Sequence, residues 1–567
     1  MGSFVIEKVM ILEQLKSIED LKGMTVEQLE ELARECRYVA NMLKQNDSTS
    51  NLELVELAIA THYVFELTDS FILDASYTPS RTILTGRISS LLNPYINVTP
   101  KATEYVNNAE NLITLGHSTS AINIAAGLAK ARDLLGNDDN IIVCADLNAI
   151  APNSVFEDLS ALSKLNTRLV IVLNDSSDGR NLTDATFSQY LYDFKQSLNM
   201  SEHNIFRNLD IEYKYIAEGN NIQSVVEALR YAKAAVRPII LHLNTAAEAS
   251  KEKVASAFHP TPYSELTYQL LEKKLKTDKK LFVLTSGTPE VMGITPERAV
   301  QLGKNYINLG KSEQPTVEIA AGLAIGGAHP VWGVYSTFLQ RVYDHLIQEV
   351  AINHSPVTIL VFGGGADGMN NIAHEGFFDI SMTVNIPNIT ILAPTCREAY
   401  EAMLNWAVGY QEGPVVIRVP NDEVHNANYP VDVTTARFGN YQITHEGAEV
   451  AIFGVGTYYK LAEQVAELLI REDVDATIIN PRNLNLYDFN TLEELRQKHR
   501  LVVTLEDGIM AGGFGEKIAR YYGPSRMKVM VRGLHKKFED NFDPQELRER
   551  NRLLPEQIAN DILDIIL

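Results

Sequence analysis

The sequence predicts an α/β protein of three domains, each built on a mainly parallel sheet. From residue 112 onward, short apolar runs alternate with segments of helical periodicity in the 567-residue chain, a pattern typical of parallel α/β layers. Two stretches contain no apolar run and interrupt this alternation of strands and helices: a charged one at 249–280 and a turn-rich one at 421–440. We therefore place the domains at 1–275, 276–425 and 435–567.

Helices are predicted at the beginning of the first domain. Residues 8–44 have Leu, Ile and Val at helical spacing with a break near Gly23-Met24, and Thr25 to Gln28 (TVEQ) form a capping-box pattern. Residues 52–65 (LELVELAIATHYVF) are apolar on nearly every side. This composition predicts a buried helix.

The apolar runs are the predicted strands. They are IIVCADL, LVIVLND and PIILHLN in the first domain, LFVLTSG, HPVWGVYSTF, VTILVFGGG, ITILAP and PVVIRVP in the second, and EVAIFGVG, ATIINPRN, LVVTLEDG and KVMVRGL in the third. The hexapeptide IAAGLA occurs at 124–129 and again at 319–324, each time followed by strand, helix and strand. The matching order favours a duplicated unit over a chance repeat. Such sheets bind ligands at the carboxyl ends of their strands.

Composition and charge restrict the class of protein. The formal net charge is −22, and the sequence lacks the basic face of a nucleic-acid binder; we interpret Lys273–Lys280 (KKLKTDKK) as a solvated linker. No apolar run approaches the roughly 18 residues of a membrane span, and residues 1–30 lack a signal-peptide core. Cys36, Cys144 and Cys396 are scattered without metal-site spacing, which favours a reduced, cytoplasmic protein.

The first group of candidate site residues lies in domain one. His117 and Ser118 precede the first IAAGLA helix, where hydroxyl and N–H groups suit a diphosphate or serve only as a helix cap. Asp146 and the triplet Asn174-Asp175-Ser176 end two predicted strands. Oxygen ligands of this kind hold Mg²⁺ together with phosphate, but Asp and Asn are also common in turns after strands. The residues alone leave both interpretations open.

The second group lies in domain two. Glu313 begins the second IAAGLA helix, where a buried carboxylate can hold or move a proton and a surface carboxylate would only favour the helix. Asp367 and His374 follow a glycine-rich loop; the histidine suits acid–base chemistry or a structural role. Arg418 ends PVVIRVP, and such a cation can clamp a substrate phosphate or form a surface ion pair. The turn Gly512-Gly513-Phe514-Gly515 suggests close packing rather than chemistry.

Taken in order, these segments resemble the 1-deoxy-D-xylulose-5-phosphate synthase family of transketolase-like thiamine diphosphate enzymes. The most specific matches are EQPTVEIAAGLAIGGAHP, YSTFLQRVYD, HEGFFDISMTVNIPNITILAP, GPVVIRVP, TLEDGIMAGGFG and GLHKKFEDNFDPQELRERNRL. Matches in domain one, ILTGR, GHS and FH, are weaker. The resemblance implies a three-domain transketolase-like architecture, with two thiamine-diphosphate-binding-type α/β domains and a C-terminal transketolase-type domain, in a homodimer.

The resemblance also implies cofactors, substrates and residue roles. The cofactors would be thiamine diphosphate and Mg²⁺, and pyruvate would donate a two-carbon unit to glyceraldehyde 3-phosphate. Glu313 would bond the pyrimidine ring and act catalytically together with His374. Domain one would hold the diphosphate and the metal of the cofactor. The residues that bind this part of the cofactor would be His117, Ser118, Asp146, Asn174 and Ser176. Of these, Asp146 and Ser176 would be the metal ligands. The substrate side would be lined by Tyr335, Asp367, His374 and Arg418.

The chain departs from the family pattern mainly in domain one. Gly-Asp-Gly is replaced by Ala145-Asp146-Leu147, Asn-Asp-Asn ends in Ser176, and the amino-terminal catalytic His falls near Asn46-Asp47. In domain two, EQHA has become EQPT, and no Arg lies between Arg341 and Arg397. Because function depends on the site rather than on the fold, three hypotheses follow. They are a carboligase of the family type, with altered substrate or weak activity; an inactive paralogue acting as a scaffold or regulatory partner; and a metabolite sensor.

Overall fold

The computed structural model describes residues 11–15, 18–43, 54–66, 69–73, 121–146, 152–175, 205–245, 260–369, 372, 374–432, 439–539 and 542–566. By its internal contacts the chain divides into two compact units, Met1–Ala257 and Phe258–Leu567. The described strands form three parallel or mainly parallel sheets, one in the first unit and two in the second. The predicted strand runs are all strands, and each predicted domain has its own sheet. The domain boundaries themselves stay a prediction.

The amino-terminal helices of the first unit are Ile11–Gln14, Val26–Leu43 and Val55–Val64, with a 3₁₀ turn at Ile18–Gly23. The predicted capping box is confirmed: the Thr25 N–H donates to Gln28 Oε1 at 2.8 Å, and the Gln28 N–H donates to Thr25 Oγ1 at 3.4 Å. Helix Val55–Val64 is buried almost throughout, as predicted. It buries Glu56 as well, whose carboxylate pairs with Arg37.

The first sheet contains β1 (Ser70–Leu73), β2 (Ile141–Asp146), β3 (Val170–Asp175), β4 (Glu212–Ile216) and β5 (Ile239–Asn244) in the order β1-β2-β3-β5-β4. All its pairings are parallel. Its further helices are Ala121–Leu135, Pro152–Leu165, Ile205–Asn208 and Ile222–Lys233. Apolar residues on the two faces of the sheet pack into separate cores, which is expected of a parallel sheet covered on both sides.

The second sheet contains β6 (Leu281–Thr285), β7 (Tyr306–Asn308), β8 (His329–Tyr335), β9 (Thr358–Phe362), β10 (Thr390–Leu392) and β11 (Val415–Arg418) in the order β10-β11-β9-β8-β6-β7. Its α-helices are Pro262–Thr277, Pro296–Leu302, Glu313–Ile325, Ser336–Leu339, Tyr343–His345, Asp379–Thr383 and Arg397–Gly409. The same part of the chain also contains short 3₁₀ turns and one π-helical segment. The 3₁₀ turns are Pro289–Met292, Gly303–Asn305 and Gln340–Val342, and the π-helical segment is Leu346–Ala351.

The interpretation of Lys273–Lys280 as a solvated linker is wrong for its first part, which belongs to a helix. Helix Pro262–Thr277 begins after the cap residue Thr261, with Pro262 at its first position. Tyr263, Leu266 and Leu271 are buried in one core with strand β6. Lys273 therefore lies in this helix rather than in a solvated linker. The charged residues around it concealed an apolar stripe at helical spacing.

The repeated hexapeptide lies in equivalent positions of the first two sheets. Helix Ala121–Leu135 leads into β2 and, through another helix, into β3; helix Glu313–Ile325 leads in the same way into β8 and β9. In both cases the two strands are parallel neighbours. The order of elements agrees with the predicted duplication.

The third sheet contains β12 (Gln442–His445), β13 (Glu449–Gly454), β14 (Thr477–Asn480), β15 (His499–Ile509) and β16 (Lys528–Leu534) in the order β12-β14-β13-β15-β16, with β12 antiparallel. Its helices are Tyr458–Ile470, Phe489–Lys498, Phe514–Tyr522, Pro544–Arg550 and Pro555–Ile566. In the part of the chain that the structure describes, no helix is both long and apolar enough to cross a bilayer.

Glu506 closes the start of helix Phe514–Tyr522 from inside the third sheet. Its side chain is 0% exposed, and its two carboxyl oxygens accept the N–H groups of Phe514 and Gly515 at 2.9 Å each. A Cβ at Gly513 would lie 2.5 Å from Glu506 Oε2, so the glycine allows this close approach. The turn therefore serves packing, as predicted. Burial raises the pKa of Glu506 to about 8, although the two N–H donors oppose the shift.

We expect the stability of the chain to fall as the pH rises from about 5 to about 8. The native Glu506 keeps its proton up to a pKa of about 8, whereas the ordinary value is 4.5. The native state therefore binds more protons in this window, and the free energy of unfolding loses up to about 1.4 kcal/mol per pH unit. Urea unfolding over this pH range measures the slope. Glu506→Gln should flatten it, and the exposed control Glu467→Gln should not; equal slopes in all three proteins would contradict the assignment.

Candidate active site

The carboxyl ends of the second sheet bring most candidate residues of domain two to one edge. Tyr335 ends β8, the glycine-rich loop follows β9, and Arg418 ends β11. Strands β6 and β8 are neighbours in the sheet. In the chain, β7 comes after β6 and before β8, and it lies on the other side of β6, at the edge of the sheet. Such a reversal of strand order opens a crevice at the carboxyl edge, where α/β folds bind ligands.

Glu313 is a buried carboxylate at the first position of helix Glu313–Ile325, and only 3% of it is exposed. Burial raises its pKa above the ordinary value, while Arg341 and Lys311 oppose the shift. Arg341 Nη1 lies 3.1 Å from Glu313 Oε2. The predicted buried helix start is confirmed, and the surface alternative is wrong. A buried carboxyl group with a raised pKa can hold a proton more readily than an exposed one and pass it on.

His374 lies half-buried after the glycine-rich loop, with its ring edge-on to Phe338 at 5.9 Å between centroids. Burial lowers its pKa below the ordinary value, and the positive charge of Lys311 lowers it further. The imidazole is therefore neutral at pH 7. A neutral imidazole can both donate and accept a hydrogen bond, which suits the predicted acid–base role without testing it.

Tyr335 packs beneath the turn that opens the glycine-rich loop. It is 3% exposed, and burial raises its pKa. Gly363 has φ +65°, and a Cβ there would lie 2.9 Å from the Tyr335 ring. The turn therefore needs glycine for its backbone conformation and for the contact. The ring supports the loop, and its role toward substrate stays a prediction.

Arg418 is buried in an ion-pair network rather than paired at the surface. It is 7% exposed, its Nε lies 2.6 Å from Asp379 Oδ2, and its Nη1 lies 2.6 Å from Asp507 Oδ1. Burial alone would lower the pKa of Arg418, but the two carboxylates raise it above its ordinary value. Burial also raises the pKa of Asp507, to about 6, against the effect of Arg418. Of the guanidinium nitrogens, Nη2 has no hydrogen-bond partner among the described residues.

The glycine-rich loop rests directly on this network. A Cβ at Gly364 would lie 2.5 Å from Asp379 Oδ2 and 2.8 Å from Arg418 Nη2, and one at Gly365, where φ is +84°, would collide with Asp507. Because only glycine fits both positions, Arg418 supports the loop from below. Its Nη2 is buried beneath the loop as well, so the predicted contact of Arg418 with a substrate phosphate stays a prediction.

Asp367 points away from the buried network and pairs with Arg548 of helix Pro544–Arg550. Both guanidinium nitrogens, Nη1 and Nη2, donate to Asp367 Oδ1, at 2.9 and 3.0 Å. The aspartate is partly exposed. The sequence interpretation missed Arg548, Asp379 and Asp507 as neighbours of the site. The last two stood in motifs already noted, FFD and TLED.

In the first unit, the predicted metal strands are adjacent. The register of β2 and β3 sets Asp146 opposite Asn174, so the expected meeting of these strand ends is confirmed at the level of the backbone. Asn174 is 0% exposed; its Oδ1 accepts the Thr245 hydroxyl at 2.6 Å, and its Nδ2 has no partner among the described residues. His117, Ser118 and Ser176 lie outside the described residues.

Asp175, the middle residue of the triplet, is held inside the sheet. Its Oδ2 lies 3.0 Å from His242 Nε2, and His242 Nδ1 lies 2.6 Å from the Tyr213 hydroxyl. Both Asp175 and His242 are almost fully buried. Within the described ranges, no group of three or more His, Cys, Asp or Glu side chains is placed to hold a metal. A magnesium site here would use hydroxyl, amide and phosphate oxygens beside Asp146.

Comparison with known proteins assigns the class. Residues 12–202 match the model of 1-deoxy-D-xylulose-5-phosphate synthase, 261–426 match the transketolase pyrimidine binding domain, and 439–555 match the transketolase C-terminal domain. A transketolase variant from Pichia stipitis has a similar structure over 94% of this chain and 97% of its own, at 13% identity and a TM-score of 0.46. The parallel sheets and the matched domains define a transketolase-like α/β enzyme.

Curated relatives narrow the class further. The chain is 28% identical to 1-deoxy-D-xylulose-5-phosphate synthase of Symbiobacterium thermophilum, covering 97% of this chain and 94% of that protein. It is 29% identical to the synthase of Halothermothrix orenii, with 93% of each chain covered. The synthase of Clostridium perfringens matches at 28% identity over its whole length. In order and over nearly its whole length, the chain is thus similar to the 1-deoxy-D-xylulose-5-phosphate synthase family.

We expect Arg418→Met to lower the free energy of unfolding by about 3–5 kcal/mol, because it leaves Asp379 and Asp507 buried without a cation. Adding Asp379→Asn and Asp507→Asn to this variant should restore part of the loss. Denaturant unfolding measures both effects. The control Arg397→Met removes an exposed pair with Glu401 and should leave stability nearly unchanged, because exposed ion pairs contribute little. A similar small effect of Arg418→Met would contradict the structural role.

Proposed function

We propose that the chain is a thiamine diphosphate-dependent carboligase that decarboxylates pyruvate and joins the two-carbon unit to glyceraldehyde 3-phosphate, forming 1-deoxy-D-xylulose 5-phosphate. The similarity to the synthase family and the names of the relatives support this reaction. The observation that supports it most directly is Glu313, a buried carboxyl group with a raised pKa at the carboxyl edge of the pyrimidine-domain sheet. No observation favours the inactive paralogue or the metabolite sensor.

Each of the two sheets carries candidate residues for the cofactor. On the second sheet, Glu313 would bond the pyrimidine ring. On the first, Asp146, Asn174 and Ser176 would serve the Mg²⁺–diphosphate group together with His117 and Ser118. Asn174 supports this placement, because a buried amide nitrogen lacking a partner in the described protein suits an oxygen-rich ligand. When bound, thiamine diphosphate supplies an electron sink for decarboxylation of a 2-oxo acid.

The chain's own groups would move protons and position the substrate. Glu313 holds a proton for exchange with a ring nitrogen, and its pair with Arg341 limits how far burial raises its pKa. His374, neutral at pH 7, is placed to donate to or accept from a substrate oxygen. The buried Tyr335 beneath Gly363 excludes water from the loop's inner side. Asp367 and Arg418 are proposed to complete the substrate side.

We extend the proposal to the three domains 1–275, 276–425 and 435–567, to a homodimer and to a cytoplasmic location. The second matched domain model ends at 426 and the third begins at 439, near the predicted boundaries at 425 and 435. The absence of paired or metal-spaced cysteines is consistent with a reducing compartment.

Glu313→Gln should reduce turnover of pyruvate and glyceraldehyde 3-phosphate by about 10²–10⁴-fold, because it removes the proton-transferring group and keeps the shape of the side chain. Product formation by the purified full chain with thiamine diphosphate and Mg²⁺ measures this. Glu318→Gln is the matched control, since Glu318 lies on the same helix but is exposed, and should keep wild-type turnover. Absence of turnover in the wild type would count against the proposed reaction, and full activity of Glu313→Gln would count against its role.

Thiamine diphosphate should raise the thermal midpoint of the wild type only when Mg²⁺ is present, because a ligand that binds the native state stabilises it by mass action. Asp146→Ala should abolish the shift, and EDTA should reverse it. Asp138→Ala, which changes an exposed carboxylate of the same unit, serves as the control. A shift that is the same without Mg²⁺ or in Asp146→Ala would overturn the placement of the metal.

A further inference from the structure

A cationic pocket lies in the third sheet, at the amino ends of β15 and β16, away from the glycine-rich loop of the second sheet. Its volume is about 460 Å³, within the range of small-ligand sites. The register places Leu501 of β15 opposite Lys528 of β16. The pocket combines cations with an apolar wall: Arg496, Arg500, Arg526 and Lys528 with Leu501, Met527, Ile565 and Ile566.

His499 closes the inner side of the pocket as a neutral group. It is 8% exposed, its Nε2 lies 2.8 Å from the Thr477 hydroxyl, and its Nδ1 lies 3.2 Å from the Leu495 carbonyl oxygen. Burial lowers its pKa. One ring nitrogen therefore donates to a carbonyl while the other accepts from a hydroxyl, which is the pattern of an uncharged imidazole. The positive charge of the pocket comes from the Arg and Lys side chains.

The acidic residues near the pocket neutralise only part of this charge. Arg496 pairs with Glu493 at 3.0 Å, and Arg500 pairs with Glu449 at 3.1 Å. Arg526 makes no ion pair or side-chain hydrogen bond with any residue that the structure describes, and Lys528 donates only to a main-chain carbonyl. The pocket is thus locally positive on a chain whose net charge is −22. Such a local field concentrates anions.

Stabilisation of the last helix does not account for all four cations. Lys528 Nζ donates to the Ile565 carbonyl at 3.1 Å, and Arg500 Nη2 donates to the Ile566 carbonyl at 2.9 Å, as expected at a helix carboxyl end. These bonds use one donor of each side chain, whereas a Lys has three donors and an Arg five. Arg526 takes no part in them. Several donors of the residues that line the open volume are therefore not used by the helix end.

We propose that this pocket binds a small organic anion of the phosphate monoester class. The guanidinium fork of Arg526 and the ammonium group of Lys528 would hold the phosphate oxygens, with Arg496 and Arg500 at the rim. Leu501, Met527 and the two terminal isoleucines would contact the organic body. The site is separate from Glu313 and His374, which belong to the second sheet and its loops, and the proposal does not depend on the reaction proposed above.

Calorimetric titration of the full chain with phenyl phosphate tests the proposal, at constant ionic strength in chloride. We expect saturable binding that weakens about tenfold or more in Arg526→Ala/Lys528→Ala. The control Arg471→Ala/Arg520→Ala removes the same charge from exposed positions outside the pocket and should bind like the wild type. Equal binding by the pocket variant would overturn the site. Unchanged thermal midpoints of the variants show that folding is not the cause.

The chemistry of the ligand is tested with two further probes. Inorganic phosphate should bind more weakly than phenyl phosphate, because it cannot contact the apolar wall, and benzyl alcohol should not bind measurably, because it has no charge. Phosphate binding as tight as that of phenyl phosphate would overturn the organic class, and binding of benzyl alcohol in the pocket would overturn the anionic class. Lys528→Arg, which keeps the charge, should retain binding within a few-fold; a tenfold loss would contradict the role of its charge.

Discussion

The ion pairs of Arg418 with Asp379 and Asp507 hold together the part of the chain on which the candidate active site is built. One cation on β11 meets a carboxylate from the helix after the glycine-rich loop and another from β15 of the third sheet. Gly364 and Gly365 lie against these groups so closely that no larger residue fits. The conformation of the loop, and with it the positions of Asp367 and His374, therefore depends on keeping a charged group in the interior.

Two buried charged groups in this region are stabilised in different ways. Arg418 has two carboxylate partners and stays charged, which suits a permanent support. Glu313 has one partly exposed partner, Arg341, and burial still raises its pKa. A carboxyl group of that kind can exchange a proton, whereas the arginine cannot. The number of oppositely charged partners thus distinguishes Arg418, which has a structural role, from Glu313, which is suited to proton transfer.

Much of the framework was predictable from the sequence, since strands buried on both faces are continuous apolar runs. Strands β1, β4, β7 and β12 were missed: all four lie at sheet edges, and segments such as SFIL, EYKYI and QITH are short or alternate in polarity. Helix Pro262–Thr277 was missed because lysines surround its apolar stripe. Glu313 and the meeting of Asp146 with Asn174 followed from their positions at element ends. The partners of Arg418 did not, because Asp379 and Asp507 are 39 and 89 residues away in sequence, and local periodicity contains no information about such contacts.

Glu506 and Asp507 are consecutive residues of β15 whose side chains have different partners, one at the start of helix Phe514–Tyr522 and the other at Arg418. A shift of the strand by one residue would exchange them. The glutamate would then be one methylene too long for the guanidinium beneath Gly365, and the aspartate one too short to reach two helix N–H groups. Apolar strands of similar side chains tolerate such slips during folding, but this pair makes the wrong alignment chemically distinguishable from the right one. These two side chains thereby favour the correct alignment of β15 over one shifted by a single residue.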